Sequence, residues 1–178
     1  AHERNIDALT GLLNRRALVE RSSSLFQSQE DGNSVVVLFA DLDGFKRVND
    51  THGHHEGDRV LAGVADSIAN TVRDEDLVSR YGGDEFLLLL PHATKQCGET
   101  VARRVRQAID DYAKENDIDF SVSIGMGRYP DHGHDLDSVI RSVDQAMYRS
   151  KMSRGGGGIL HVDSCEMDAP DPTSETMH

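Results

Sequence analysis

Leu77-Val78-Ser79-Arg80-Tyr81-Gly82-Gly83-Asp84-Glu85-Phe86-Leu87-Leu88-Leu89-Leu90 reads as two strands folded back on each other about a glycine pair. The first arm is β-rich, Gly82-Gly83 supplies a turn open to positive φ, and Pro91 closes the second arm. Five consecutive apolar residues in Phe86–Leu90 predict a strand buried on both faces. The hairpin therefore belongs inside a larger sheet.

The sequence around it supplies the other layers. Upstream, Val35 to Ala40 is a second near-continuous apolar run, with Asp41 and Asp43 at its carboxyl end. Residues 5–29 predict a polar entry and then a helix, capped by Asn14, with Ala17, Leu18 and Leu25 at helical spacing. Glu30-Asp31-Gly32-Asn33 is a turn. Leu61, Val64, Ala65 and Ile68 form one face of a helix before the hairpin. Val101, Ala102, Val105, Ile109 and Tyr112 form another after it. Phe120 to Met126 alternates as a strand, Leu136 to Met147 is helical, and Ile159 to Val162 is a last strand. Helices placed around a central hairpin predict an α/β (α+β) fold with a sheet of mixed, mainly antiparallel direction and a ferredoxin-like core. One domain over 1–162 and a disordered acidic tail over 163–178 are expected, because the tail carries prolines and no Lys or Arg.

The chain has 178 residues, the size of one ordinary domain. Its 31 acidic against 19 basic residues exclude a sequence-independent nucleic-acid binder, which needs a basic face. They equally disfavour docking on anionic lipid. A nucleotide ligand stays open, since Mg²⁺ bridges acids to phosphates. No apolar run approaches membrane length. Cys97 and Cys165 show no metal-ligand spacing and fit a reduced cytoplasmic setting. The absence of a starting Met suggests a fragment of a longer protein.

The acids beside the glycines carry the first chemical hint. Asp41 ends a buried strand and Asp84 follows Gly82-Gly83. Two such carboxylates can converge as hard oxygen ligands for Mg²⁺ or Mn²⁺. A surface hairpin with a polar turn is the plainer alternative, and composition leaves both open.

The stretch Arg80-Tyr81-Gly82-Gly83-Asp84-Glu85-Phe86 resembles the signature of the GGDEF family, the diguanylate cyclases. The likeness is an ordered set. Asp7-Ala8-Leu9-Thr10-Gly11-Leu12-Leu13-Asn14-Arg15-Arg16 resembles the family's opening segment, and Asp41-Leu42-Asp43-Gly44-Phe45-Lys46-Arg47-Val48-Asn49-Asp50 its first metal strand. Gly53-His54-His55-Glu56-Gly57-Asp58 and Ser123-Ile124-Gly125 also match. The resemblance implies a palm-type core and condensation of two GTP into cyclic di-GMP with loss of two pyrophosphates. It implies a homodimer, each subunit carrying one GTP, with Mg²⁺ or Mn²⁺, two per half-site. It further implies an upstream sensory domain, a cytoplasmic location and a parent protein compatible with a membrane anchor.

The resemblance assigns roles residue by residue. Asp41, the Leu42 carbonyl and Asp84 are implied metal ligands, with Asp84 and Glu85 catalytic. Strict alternation would point Asp84 and Glu85 to opposite faces, so unequal roles are expected. Asn49 and Asp58 are the implied guanine readers; an Asp accepts from the guanine N1 and N2 edge that adenine lacks. Asp58 also suits a helix N-cap. Phe45, Lys46, Gly82, Gly83, Lys151 and Arg154 are implied substrate contacts. Arg73 and Asp76, an Arg-x-x-Asp pair upstream of Gly82, resemble the family's product-inhibition site, with Arg104 as a further arginine.

One stretch departs from the pattern. The family follows its second phosphate lysine with Gly-Arg-Asn after two residues, whereas this chain reads Lys151-Met152-Ser153-Arg154-Gly155-Gly156-Gly157-Gly158. That departure favours an alternative, a catalytically weak module that binds GTP or cyclic di-GMP as a receptor. His52, His54 and His55 overlie the Gly-His match and are expected in a solvated loop rather than at a metal.

Overall fold

The computed structural model describes residues 4–29, 34–154 and 158–163, with side chains given only to residue 149 in the last helix. The chain order is β1 (Leu13–Asn14), α1 (Arg15–Gln27), β2 (Val35–Asp43), α2 (Phe45–His52), α3 (His54–Ala69), β3 (Leu77–Arg80), β4 (Glu85–Leu90), α4 (Lys95–Glu115), β5 (Ser121–Tyr129), α5 (Leu136–Arg154) and β6 (Gly158–His161). The six strands form one sheet in the order β1-β3-β4-β2-β5-β6. The β1–β3 and β5–β6 pairs are parallel and the inner three pairings antiparallel. The fold is α+β, as expected, with the hairpin of β3 and β4 beside the central β2.

Burial explains why β2 is central. Val35 to Ala40 are all buried. Val36, Leu38, Ala40 and Leu42 pack with Val60, Val64 and Ile68 of α3 and Val105 and Ile109 of α4. Val35, Val37 and Phe39 pack with Leu18 and Phe26 of α1 and Val139 and Val143 of α5. Two apolar cores thus sandwich the sheet, and alternation assigns each β2 residue to one of them. Each large side chain sequestered in this way stabilises the fold by about 1.5–3 kcal/mol.

Local signals behaved as their chemistry predicts. The Asn14 side chain accepts from the Ala17 N–H at 2.9 Å, capping α1. Thr94 caps α4 in the same way. β2 runs three residues past Ala40, because Asp43 still pairs with Ser121 of β5. The two-residue β1 carries no sequence signal, since its pairing partner β3 lies more than 60 positions away.

Asp163, the first residue of the expected tail, is held by Arg128 Nη2 at 2.8 Å and His132 Nε2 at 2.7 Å. The rest of that tail, residues 164–178, lies outside the described residues, as do the turn at 30–33 and Gly155 to Gly157. Among the described residues no helix is long and apolar enough to cross a membrane.

Candidate active site

The register of the sheet gathers the acids. Asp41 of β2 pairs with Glu85 of β4 on one side and with Ser123 of β5 on the other. Residues directly opposite across antiparallel strands share a face, so Glu85, Asp41 and Ser123 form a row across the sheet. The turn brings Asp84 alongside: the Leu42 N–H donates to the Asp84 carbonyl at 3.2 Å. Asp84 precedes β4 and belongs to the turn, so strand alternation does not govern it.

The charges register this convergence. Burial pushes the Glu85 carboxyl up, and Asp41, Asp84 and Asp144 push it further, against the pull of Arg15. Carboxylates that repel one another at a strand end are the donor chemistry a hard divalent cation reconciles. Two acids and a backbone carbonyl suffice for Mg²⁺, which keeps waters and substrate oxygens for its other positions. The residues present therefore fit such an ion.

The hairpin turn differs from expectation. Neither Gly82 nor Gly83 has a positive φ; among the described glycines that conformation falls to Gly11, Gly44, Gly53 and Gly158. Gly82 serves close approach instead, because a Cβ there would collide with the Glu85 carboxylate. Both the Tyr81 and Gly82 N–H groups donate to the Glu85 carbonyl, at 2.8 and 3.3 Å. The Gly83 carbonyl accepts from Arg80 Nε and Nη2 at 3.1 and 2.9 Å.

Just past the acids, Gly44 takes φ +84° and starts α2. The first intrahelical N–H there is that of Val48, which donates to the Gly44 carbonyl. Phe45 and Lys46 therefore stand in the helix's first turn, where backbone N–H groups lack intrahelical partners and suit anions. Phe45 is half-buried and Lys46 exposed. Asn49 lies one turn on and packs against Gly57 of α3, where a Cβ would strike the Asn49 Oδ1. Asp58, next in the chain, is exposed. Its expected capping role is overturned: α3 starts at His54 with Gly53 as N-cap, so Asp58 lies inside the helix. Lys151 and Arg154 occupy the last turn of α5, and their side chains lie outside the described residues. His52, His54 and His55 are exposed.

The second constellation sits at the opposite end of the sheet. Arg73 Nη2 donates to Asp76 Oδ1 at 3.0 Å and to the Pro91 carbonyl at 3.1 Å, and Nη1 meets Glu75 at 2.7 Å. The Asp76 side chain is fully buried while that of Arg73 is 46% exposed. Asp76 thus faces inward and holds Arg73 rather than offering its own carboxylate outward. Its hydrogen bond is the main cause raising the Arg73 pKa. Exposed Arg104 lies seven residues beyond Cys97 on α4, on the same helical face.

Sequence reasoning missed two features. Asp7 accepts from the Thr10 N–H and hydroxyl and from Arg80, which ties the opening segment to the Gly83 turn. A cleft of about 530 Å³ also opens beside Glu85, lined by Arg15, Tyr81, Asp137, Arg141 and Asp144. The Arg15 guanidinium lies 4.4 Å from the Tyr81 ring centroid. α1, the hairpin and α5 are remote from one another in sequence, so no local pattern announces them.

Comparison with known proteins places this geometry. The family described as diguanylate cyclase, GGDEF domain, matches residues 4–156. The bifunctional diguanylate cyclase/cyclic di-GMP phosphodiesterase MucR of Pseudomonas aeruginosa is 37% identical over 163 residues, covering 89% of this chain and 23% of MucR. Diguanylate cyclase DosC of Escherichia coli is 37% identical over 155 residues, covering 84% of this chain and 34% of DosC. The chain thus spans about a quarter to a third of these relatives' length. The GGDEF domain of DgcB from Caulobacter crescentus, solved in complex with c-di-GMP, superposes with a TM-score of 0.77 at 26% identity, covering 89% of this chain and 96% of that one. A match spanning nearly the whole described fold, with the acids gathered at the end of β2, makes this chain a GGDEF domain of the diguanylate cyclase family.

Proposed function

We propose that the domain condenses two GTP into cyclic di-GMP, with two subunits face to face and one GTP on each. The observation that carries this reading is the pairing of Asp41 with Glu85 while the Asp84 carbonyl accepts from Leu42. In each half-reaction the 3′-oxygen of one GTP bonds to the α-phosphorus of the other. The bond to the β,γ-pyrophosphate breaks, and the hydroxyl proton leaves to a carboxylate. Two such steps close the ring and release two pyrophosphates.

Asp41, the Leu42 carbonyl and Asp84 would hold the divalent cations. Those ions, when bound, supply charge neutralisation at the transferring and leaving oxygens and acidify the attacking hydroxyl. Glu85 is the proton acceptor: a carboxyl pushed up first by burial and then by its acidic neighbours is better matched to that task than an ordinary surface acid. The Phe45 and Lys46 amides, the Lys46 side chain, Lys151 and Arg154 bind phosphates. Asn49 and Asp58 read guanine. Gly82 and Gly83 keep the turn thin enough for substrate to approach the acids.

The exposed face of Arg73, together with exposed Arg104 of α4, binds product and restrains turnover. Its guanidinium fork suits the guanine O6 and N7 edge or a phosphate. Asp76 acts here by holding Arg73. The c-di-GMP complex of the DgcB domain supports product binding to this fold. The receptor alternative rests on the Gly155–Gly158 run.

The test is chromatography of nucleotides after incubating concentrated protein with GTP and Mg²⁺, with a cyclic di-GMP phosphodiesterase present to lift inhibition. Linear di-GMP is the expected product. Intact GTP, both alone and in a version fused to a dimerising coiled coil, would overturn the enzymatic reading in favour of the receptor.

A further inference from the structure

The strand that carries Asp41 ends Asp41-Leu42-Asp43, and alternation places Asp41 and Asp43 on the same face. Their Cα atoms are about 7 Å apart along the strand. Ser123 of β5 lies directly opposite Asp41. Its hydroxyl nevertheless donates diagonally to Asp43 Oδ2, at 2.5 Å. Ser123 is 1% exposed, so the residue that aims the Asp43 carboxylate is itself locked in the sheet. A short O–H···O⁻ bond of this kind is charge-assisted and directional. The Asp43 carboxylate is thereby held back over the sheet, toward the end where Asp41, the Leu42 carbonyl and Asp84 meet.

We infer that Asp43, positioned by Ser123, is a water-mediated anchor for the cation held at Asp41. Mg²⁺ keeps several of its waters when bound by protein. A carboxylate too far for direct ligation accepts hydrogen bonds from those waters, and such outer contacts change metal affinity by about 10–100-fold in the strongest cases. The inference rests on the cation reading of Asp41 and Asp84.

The experiment follows free Mn²⁺ by electron paramagnetic resonance as it is titrated into the whole chain saturated with a non-hydrolysable GTP analogue. Parent, D43N, S123A and D41N are compared, with melting temperatures recorded for each. D43N keeps the hydrogen bond from Ser123 and removes the charge, and S123A keeps the charge and removes its support. Both are expected to weaken Mn²⁺ binding three- to tenfold, and D41N by much more. Affinities of D43N and S123A within twofold of the parent, beside a weakened D41N, would overturn the inference alone. An unchanged D41N would overturn the cation site and the inference with it. Should D43N fail to fold, S123A decides by the same thresholds.

Discussion

Asp7 and Arg80 stand 73 positions apart in the chain and meet at 3.3 Å, each about one-fifth exposed. Arg80 spends its other donors on the Gly83 carbonyl, so the pair fixes the turn that presents Asp84. Burial alone would raise the Asp7 carboxyl; the hydrogen bonds from Thr10 and the charge of Arg80 outweigh it and hold it low. A carboxyl lowered in the folded state stabilises above its unfolded pKa of about 3.9, and that contribution disappears as pH falls through the folded value. D7N is therefore expected to cost about 1–3 kcal/mol near neutral pH. The gap to the parent should close below about pH 3.9. Urea melts at pH 7 and pH 3 read both halves, and an equal gap at the two values would exclude Asp7 as the titrating group.

Gly57 makes a separate prediction, about specificity. Its missing side chain leaves the room that the Asn49 amide occupies. Gly57→Ala should displace Asn49 while leaving Val60, Leu61 and Val64 of α3 packed in the core. The expected result is a KM for GTP raised at least about tenfold, the size of one lost directional contact at 1.4 kcal/mol. Circular dichroism should be unchanged. A normal KM would remove Asn49 from guanine recognition.

The elements that could be read from the sequence are those whose causes are local. Asn14 caps α1 because its side chain reaches three residues forward. The run Val35–Ala40 predicts a doubly covered strand because each residue must find a core, and both cores exist. Asp41 and Asp84 were legible as converging acids, and the structure adds the register that sets Glu85 opposite Asp41. Other features depend on contacts across the chain. Gly53 takes the capping position of α3 that Gly57-Asp58 also suits, since its φ of +86° breaks α2 from α3. The inward turn of Asp76 follows from its partner Arg73 and from Pro91, 15 residues on. The Arg15–Tyr81 stack joins α1 to the hairpin with no periodicity to signal it.

The cation reading predicts a sharp difference between neighbours. Asp84→Ala removes a proposed ligand, and turnover should fall at least about 1,000-fold, or 4 kcal/mol in transition-state stabilisation. Glu85→Gln keeps the shape and removes the proton acceptor, so turnover should fall about 100-fold, within the usual range for general bases. Excess EDTA should abolish activity, and Mn²⁺ should restore it in the parent and not in Asp84→Ala. Near-normal turnover of Asp84→Ala would refute its place among the ligands.

In the proposed cyclase reaction, product control turns on which of Arg73 and Asp76 touches cyclic di-GMP. The structure buries the Asp76 carboxylate against Arg73 and leaves Arg73 half-open. If Arg73 is the contact and Asp76 its support, Arg73→Ala should raise the product concentration for half-inhibition at least about tenfold, at unchanged initial rate. Asp76→Asn keeps hydrogen-bonding capacity but loses the charge, so it should give a smaller shift in the same direction. Arg104→Ala should behave like Arg73→Ala, since both guanidinium groups are proposed to meet the product. Inhibition curves for all three, taken with the initial rate, separate contact from support. A shift in Asp76→Asn larger than in Arg73→Ala would mean that the carboxylate turns outward to meet the product. Unchanged inhibition in Arg73→Ala would remove this loop from the control of the reaction.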